Sequence, residues 1–293
     1  MKNVILSAAE GYGLAQIAPF IDSAAANCPN TEIVFLADTH VPEVISYGEE
    51  KGISVRYYSC GMPYLNRVLS TQRFWRRLVK GLTPSFVFKA MAPRSILQIS
   101  VFRYFVALEF LRAHEGEYVN VLLSDSRDVI FQSDPFEMMP DVDGIICGQE
   151  EVSISDEKFT RGWIEKGFGP TVFTSVKDQT VICSGVSIGT YAHICSYLET
   201  YVARASEIKH LIPFSYGFDQ GIHNVLIYHD HSVTCERIEN GQGVICTLST
   251  CGRGRFEVEN RVLTFPTTQI SPAIVHQHDR HAGVEQALGW GEH

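Results

Sequence analysis

Short apolar runs alternate with longer stretches in which apolar residues recur every three or four positions. Residues 4–7 read as a first strand, and 14–26 as a helix with Ile17, Phe20 and Ile21 on one side. Residues 32–37 (Glu-Ile-Val-Phe-Leu-Ala) form the next strand, ending at Asp38; 41–51 is a helix and 53–58 a third strand. Strand, helix, strand in repetition implies right-handed crossovers and a parallel sheet. A longer apolar helix follows over 96–113, its hydrophobic surface interrupted by Arg103. Residues 118–123 are a β-branched, apolar run, the pattern of a strand covered on both faces.

Beyond it the pattern shortens. Residues 143–148 read as a strand, 156–166 as a helix, and the Gly-, Thr- and Ser-rich stretch 167–180 as a loop able to move over a site. Residues 181–189 form a strand interrupted by glycine, which often marks close backbone approach to a ligand. A helix over 191–208 precedes a turn entering another helix at 216–226. Residues 232–237, 244–248 and 261–265 read as short strands with antiparallel pairing, and 273–275 as the last strand.

Composition narrows the class. A chain of 293 residues, 45% hydrophobic and 19% charged, is long for one domain and short for two. We read 1–293 as a single α/β domain, with a mixed, mostly parallel sheet flanked by helices. A net charge of −9 argues against nucleic acid as a partner. The eight cysteines lack C-x-x-C spacing, so neither a zinc ribbon nor a disulfide framework is suggested. The amino terminus enters a strand at once, without a signal-peptide pattern, and no apolar run reaches the ~18 residues of a membrane span. The expectation is a reduced, cytoplasmic protein.

Candidate chemistry begins where the run 118–123 ends. Asp125, Arg127 and Asp128 follow at the carboxyl end of a central strand, where open α/β sheets bind ligands. Two close carboxylates suit a hard divalent cation such as Mg²⁺ or Mn²⁺, with a diphosphate completing its oxygen ligands; the plain alternative is a solvated turn with a weak ion pair. A buried Arg103 needs an anion, either a structural carboxylate or a donor phosphate. Asp219 is either a helix cap or a site residue. His276, His278 and His281 cluster with Asp279 after the last strand, offering a metal ligand. Residues 70–82 carry Arg73, Arg76, Arg77 and Lys80 around apolar positions. They form either a solvated helix face or a surface for an acidic acceptor or membrane. Gly11 and Gly13 do not make a dinucleotide fingerprint, and no P-loop occurs.

Taken in order, Ser-Asp-Ser-Arg-Asp-Val-Ile-Phe-Gln-Ser-Asp-Pro-Phe, Cys-Ser-Gly-Val-Ser-Ile-Gly, Phe-Asp-Gln-Gly-Ile-His-Asn and Val-His-Gln-His resemble GT-A fold glycosyltransferases. The closest pattern is that of the retaining enzymes of the family 8 type. The resemblance implies a Rossmann-like GT-A fold, with 1–136 as the nucleotide-sugar-binding half and 137–293 as the acceptor half. It implies Mn²⁺ (or Mg²⁺) held by Asp125, Asp128 and His276. It further implies a nucleoside-diphosphate sugar contacted by Ala8, Tyr12, Arg103, Asp125, Ser126, Arg127, Ser184, Gly185 and Asn224, with Asp219 and Gln220 as catalytic residues beside the sugar.

The resemblance is not uniform. Asp-Ser-Arg-Asp is one residue longer than the family's D-x-D, Cys183 stands where the family has asparagine, and Gly221 where it has an acidic residue. The implied activity is transfer of a sugar to a glycan or lipid-linked acceptor in surface-polysaccharide synthesis, with peripheral membrane contact as an option. The competing readings are a sugar-nucleotide nucleotidyltransferase, a non-catalytic carbohydrate-binding protein and a metal-dependent hydrolase. The first of these would carry a glycine-rich basic loop after the first strand, which 8–13 lacks.

Overall fold

Val4 and Leu6 point to one side of the first strand and Ile5 to the other, and all three are fully or almost fully buried. Such a strand must lie between two layers. A computed structural model, which describes residues 1–59, 99–208 and 217–290, places it so. Strands β1 (Lys2–Ala8), β2 (Thr31–Leu36), β3 (Ser54–Tyr58) and β4 (Tyr118–Ser124) lie parallel, with β1 between β2 and β4. The sheet continues through β7 (Thr180–Thr190), β6 (Ile145–Ser153) and β8 (Cys235–Ile238), giving the order β3-β2-β1-β4-β7-β6-β8. Only β7 runs against the rest.

Helices cover both faces. Ile5, Ile33, Phe35 and Leu122 pack with Ile17, Phe20 and Ile21 of α1 (Leu14–Asn27) and Val44 of α2 (Pro42–Lys51). Val4, Leu6, Val121 and Leu123 pack against α3 (Ile99–Ala113), α6 (Tyr191–Glu207) and α7 (Phe218–Tyr228). Helices α4 (Lys158–Phe168) and α5 (Pro170–Val176) sit between β6 and β7 in sequence, and α4 packs on α7. A second sheet of β5 (Val129–Phe131), β12 (Ile274–His276) and β9 (Ile245–Thr247) lies at the site, and β10 (Glu257–Glu259) pairs with β11 (Val262–Thr264). The last described helix is α8 (Val284–Leu288).

Three sequence expectations change. The stretch 167–180 contains α5, begun by Pro170 at a position where a missing N–H costs nothing. The three short strands expected to be antiparallel divide. β8 and β9 pair in parallel with β6 and β12, and only β11 is antiparallel, to a strand at 257–259 that polar residues conceal. Asp219 is not the cap of its helix; Gly217 takes that position with φ 74°. The basic face at 70–82, residues 96–98 and Tyr216 lie outside the described residues. Among the described residues no helix is long and apolar enough to cross a membrane.

Candidate functional site

Beyond Ser124 the chain leaves β4 and is pinned at once. The Asp125 amide donates to Gly185 O on β7 at 2.8 Å, and Ser126 Oγ donates to Ala8 O at the end of β1 at 3.2 Å. The chain then enters β5, whose antiparallel partner β12 sets His276 opposite Val129. The Gln277 amide, at a left-handed φ of 59°, donates to Asp128 O at 2.7 Å. Two segments almost 150 positions apart are thereby locked side by side.

The result is a carboxylate and imidazole cluster. His276 Nε2 lies 3.5 Å from Asp125 Oδ2 and 3.8 Å from Asp128 Oδ1. One ligand atom from each of the three side chains falls within 4.8 Å of the others. His276 is buried, and its Nε2 has no hydrogen-bond partner. On the other side of the ring, Nδ1 faces Cys183 Sγ at 3.5 Å and Thr247 Oγ1 at 3.4 Å. An orphaned buried nitrogen facing two carboxylates is costly unless something binds between them. Two oxygens and one imidazole nitrogen suit Mn²⁺ or Mg²⁺. The cluster fits a divalent ion. Gly185 leaves room for it: a Cβ there would come 2.3 Å from His276 Cε1 and 2.8 Å from Asp125 Oδ2.

Arg103 is the second organising group. Its guanidinium pairs with Asp125, with Asp219 Oδ2 at 3.2 Å, and donates to Ser184 O at 3.2 Å. Of the two anions considered for it, the structure supplies carboxylates. Asp219 Oδ2 also accepts from Ser184 Oγ at 3.2 Å. The Tyr104 hydroxyl supports the same Ser184 carbonyl at 3.0 Å.

The charges respond to this placement. Burial alone would raise Asp125, but Arg103 and His276 hold it well below the ordinary carboxylate range. Burial raises Asp128, with His276 opposing and the Asp125 charge reinforcing. Burial also raises Asp219 against the pull of Arg103. For His276 burial acts downward, but Cys183 and the Asp125 and Asp128 carboxylates outweigh it, so its pKa stands well above 6.5.

Around these groups is a cleft of about 350 Å³. Ala8, Tyr12, Arg103, Asp125, Ser126, Arg127, Asp128, Ser184, Gly185, Asp219, Gln220 and His276 all line it. Asn224 does not. Its side chain accepts from Ile182 N at 2.9 Å and donates to Ile182 O and Gln220 O, each at 2.8 Å, so it fastens α7 to β7. His278 is buried in a 3-10 turn outside the cluster.

Among the lining residues that the reading of the chain did not single out are Trp163, Gln277 and Arg280. Arg280 and Arg127 share the Asp279 carboxylate, at 3.5 Å and 3.3 Å, so two guanidinium groups line that wall. Gln277 and Arg280 carried no sequence signal beyond proximity to a motif. Trp163 carried a better one, a second aromatic four positions earlier at Phe159.

Fold and site define an α/β protein with a mostly parallel sheet and a buried Asp-Asp-His cluster able to hold a metal ion. No protein-family model matches the chain, and no curated protein matches it.

Proposed function

We propose that the protein is a metal-dependent glycosyltransferase of the GT-A type. It would move a sugar from a nucleoside-diphosphate sugar to a glycan or lipid-linked acceptor with retention, in surface-polysaccharide synthesis. One observation carries this reading: at the carboxyl ends of β1 and β4 a carboxylate and imidazole cluster, a wall carrying two guanidinium groups, and a second carboxylate and amide pair face one cleft. β2 and β3 lie to one side of β1 and β4 to the other, which makes this crevice the switch point where open α/β sheets bind ligands.

Asp125, Asp128 and His276 would hold Mn²⁺ or Mg²⁺. When bound, such an ion supplies Lewis-acid charge for the negative charge that develops on a departing diphosphate. Arg127 and Arg280 add fixed positive charge on the same wall. Arg103 has a different part: its charge is already met by Asp125 and Asp219, so it positions both carboxylates.

Asp219 and Gln220 line the same cleft, with Arg103 between Asp219 and Asp125. Asp219 is held by Arg103 and Ser184, and Gln220 donates to Thr160 Oγ1 at 2.9 Å and Glu150 Oε1 at 3.4 Å. Both are preorganised to orient a sugar and to stabilise positive character at its anomeric carbon. The anomeric C–O bond to the diphosphate breaks as the acceptor oxygen bonds on the same face, and the acceptor proton passes to the departing phosphate oxygen. No dedicated base is then required. Binding of a nucleoside diphosphate in Mn²⁺, lost in EDTA and in Asp128→Ala, tests the reading.

A further inference from the structure

Helix α4 is mostly polar, yet it carries Phe159 and Trp163 four positions apart, on one face. Phe159 is 62% exposed. Its ring stacks on Trp163 with centroids 6.0 Å apart and planes inclined by 29°. Trp163 in turn lines the cleft.

The indole is tightly held. Gly217, with φ 74°, packs so closely that a Cβ there would lie 2.0 Å from Trp163 Cζ2, and a Cβ at Gly221 would lie 3.1 Å from Trp163 Cβ. Between the two rings in sequence, Thr160 faces inward and receives the Gln220 side chain. The Glu157 carboxylate caps the helix, accepting from the Phe159 and Thr160 amides. One helical turn thus fixes the exposed Phe159 ring, the half-buried Trp163 and the amide of Gln220 together. The exposed Phe159 ring beside the half-buried Trp163 is apolar surface that a ligand would remove from water.

We infer that Phe159 and Trp163 form an aromatic platform that binds a pyranose ring of the acceptor, at the edge of the cleft, where Trp163 of α4 lines it and Phe159 lies beside Trp163 outside. The C–H face of a pyranose is weakly positive and matches the negative face of an aromatic ring. Calling this sugar the acceptor rests on the transferase reading; the preference of the platform for a pyranose does not.

The test is NMR of the Trp163 indole N–H in protein labelled at tryptophan, assigned with Trp163→Phe. The probes are methyl pyranosides, sorbitol as a polyol without a ring face, and uridine and guanosine. At least one methyl pyranoside is expected to shift the Trp163 signal saturably, with no shift from sorbitol or the nucleosides. Phe159→Ala is expected to weaken that binding about three- to tenfold, whereas Met138→Ala, at an exposed apolar position outside the cleft, leaves it unchanged.

No shift from any pyranoside, a shift from the nucleosides instead, or full affinity in a folded Phe159→Ala protein would overturn the inference. Titration of the same samples with Mn²⁺ and nucleoside diphosphates separates the two readings. Pyranoside binding without nucleotide binding would retain the platform and remove the transferase, and the reverse would retain the transferase alone.

Discussion

Gly185 shows how much of the site depends on a single atom's absence. Its alanine variant must push apart His276 and Asp125, because the new Cβ overlaps both side chains. Gly185→Ala is expected to weaken divalent-metal binding by about tenfold or more and to destabilise the fold by about 1–3 kcal/mol, read by metal titration and thermal unfolding. Glu150 offers a second test at this scale. Burial first, and then the nearby Glu157 charge, raise its pKa from 4.5 to about 7, with His276 and Gln220 opposing. Between those values the folded state keeps a proton that the unfolded chain releases, so stability falls as pH rises through this window. The contribution is fully present below about 4.5 and gone above about 7, and amounts to at most about 3 kcal/mol. Denaturant unfolding at a series of pH values is expected to show a flatter profile for Glu150→Gln than for the parent. The acidic motif and His276 were legible as residues, because Asp-Ser-Arg-Asp follows a strongly apolar strand and His276 closes another. Glu150 was not legible, since nothing in its neighbours reveals its burial.

At the scale of elements, the small sheet of β5, β12 and β9 does the work that long-range proximity requires. It joins the loop after β4 to the end of the chain, and the Gln277 amide bond to Asp128 fixes the junction. Strands of three residues carry too little periodicity to announce such pairings, so β5 was hidden in the acidic segment and the partners of β9 were misread. Strands β1, β2 and β4 were legible because burial on both faces leaves them largely apolar, and α1 because its buried residues recur at helical spacing. Asn224 marks the limit of motif reading. It stands where the resemblance places a donor contact, yet its amide completes the backbone pairing of Ile182. Asn224→Ala is expected to cost about 1–3 kcal/mol by leaving buried backbone groups unpaired, with divalent-metal affinity of the folded protein unchanged. Unfolding curves and metal titration of the same preparation check both parts.

For the whole molecule, the order of strands decides where chemistry sits. Six of the seven strands of the main sheet share one direction, and their carboxyl ends form a single edge. β1 and β4 meet there at the switch point, and the reversed β7 brings Ser184 and Gly185 back beside Asp125. The sheet thus gathers residues from its two halves around one cleft, and the cluster at the centre carries two carboxylates facing one imidazole nitrogen. The most direct test of the account is calorimetric titration with UDP, GDP and other nucleoside diphosphates, in Mn²⁺ and in EDTA, for the parent protein and Asp128→Ala. The account predicts that one nucleoside diphosphate binds in Mn²⁺, and that binding is lost both in EDTA and in the folded variant. A folded parent protein that binds none of them in Mn²⁺ would contradict it.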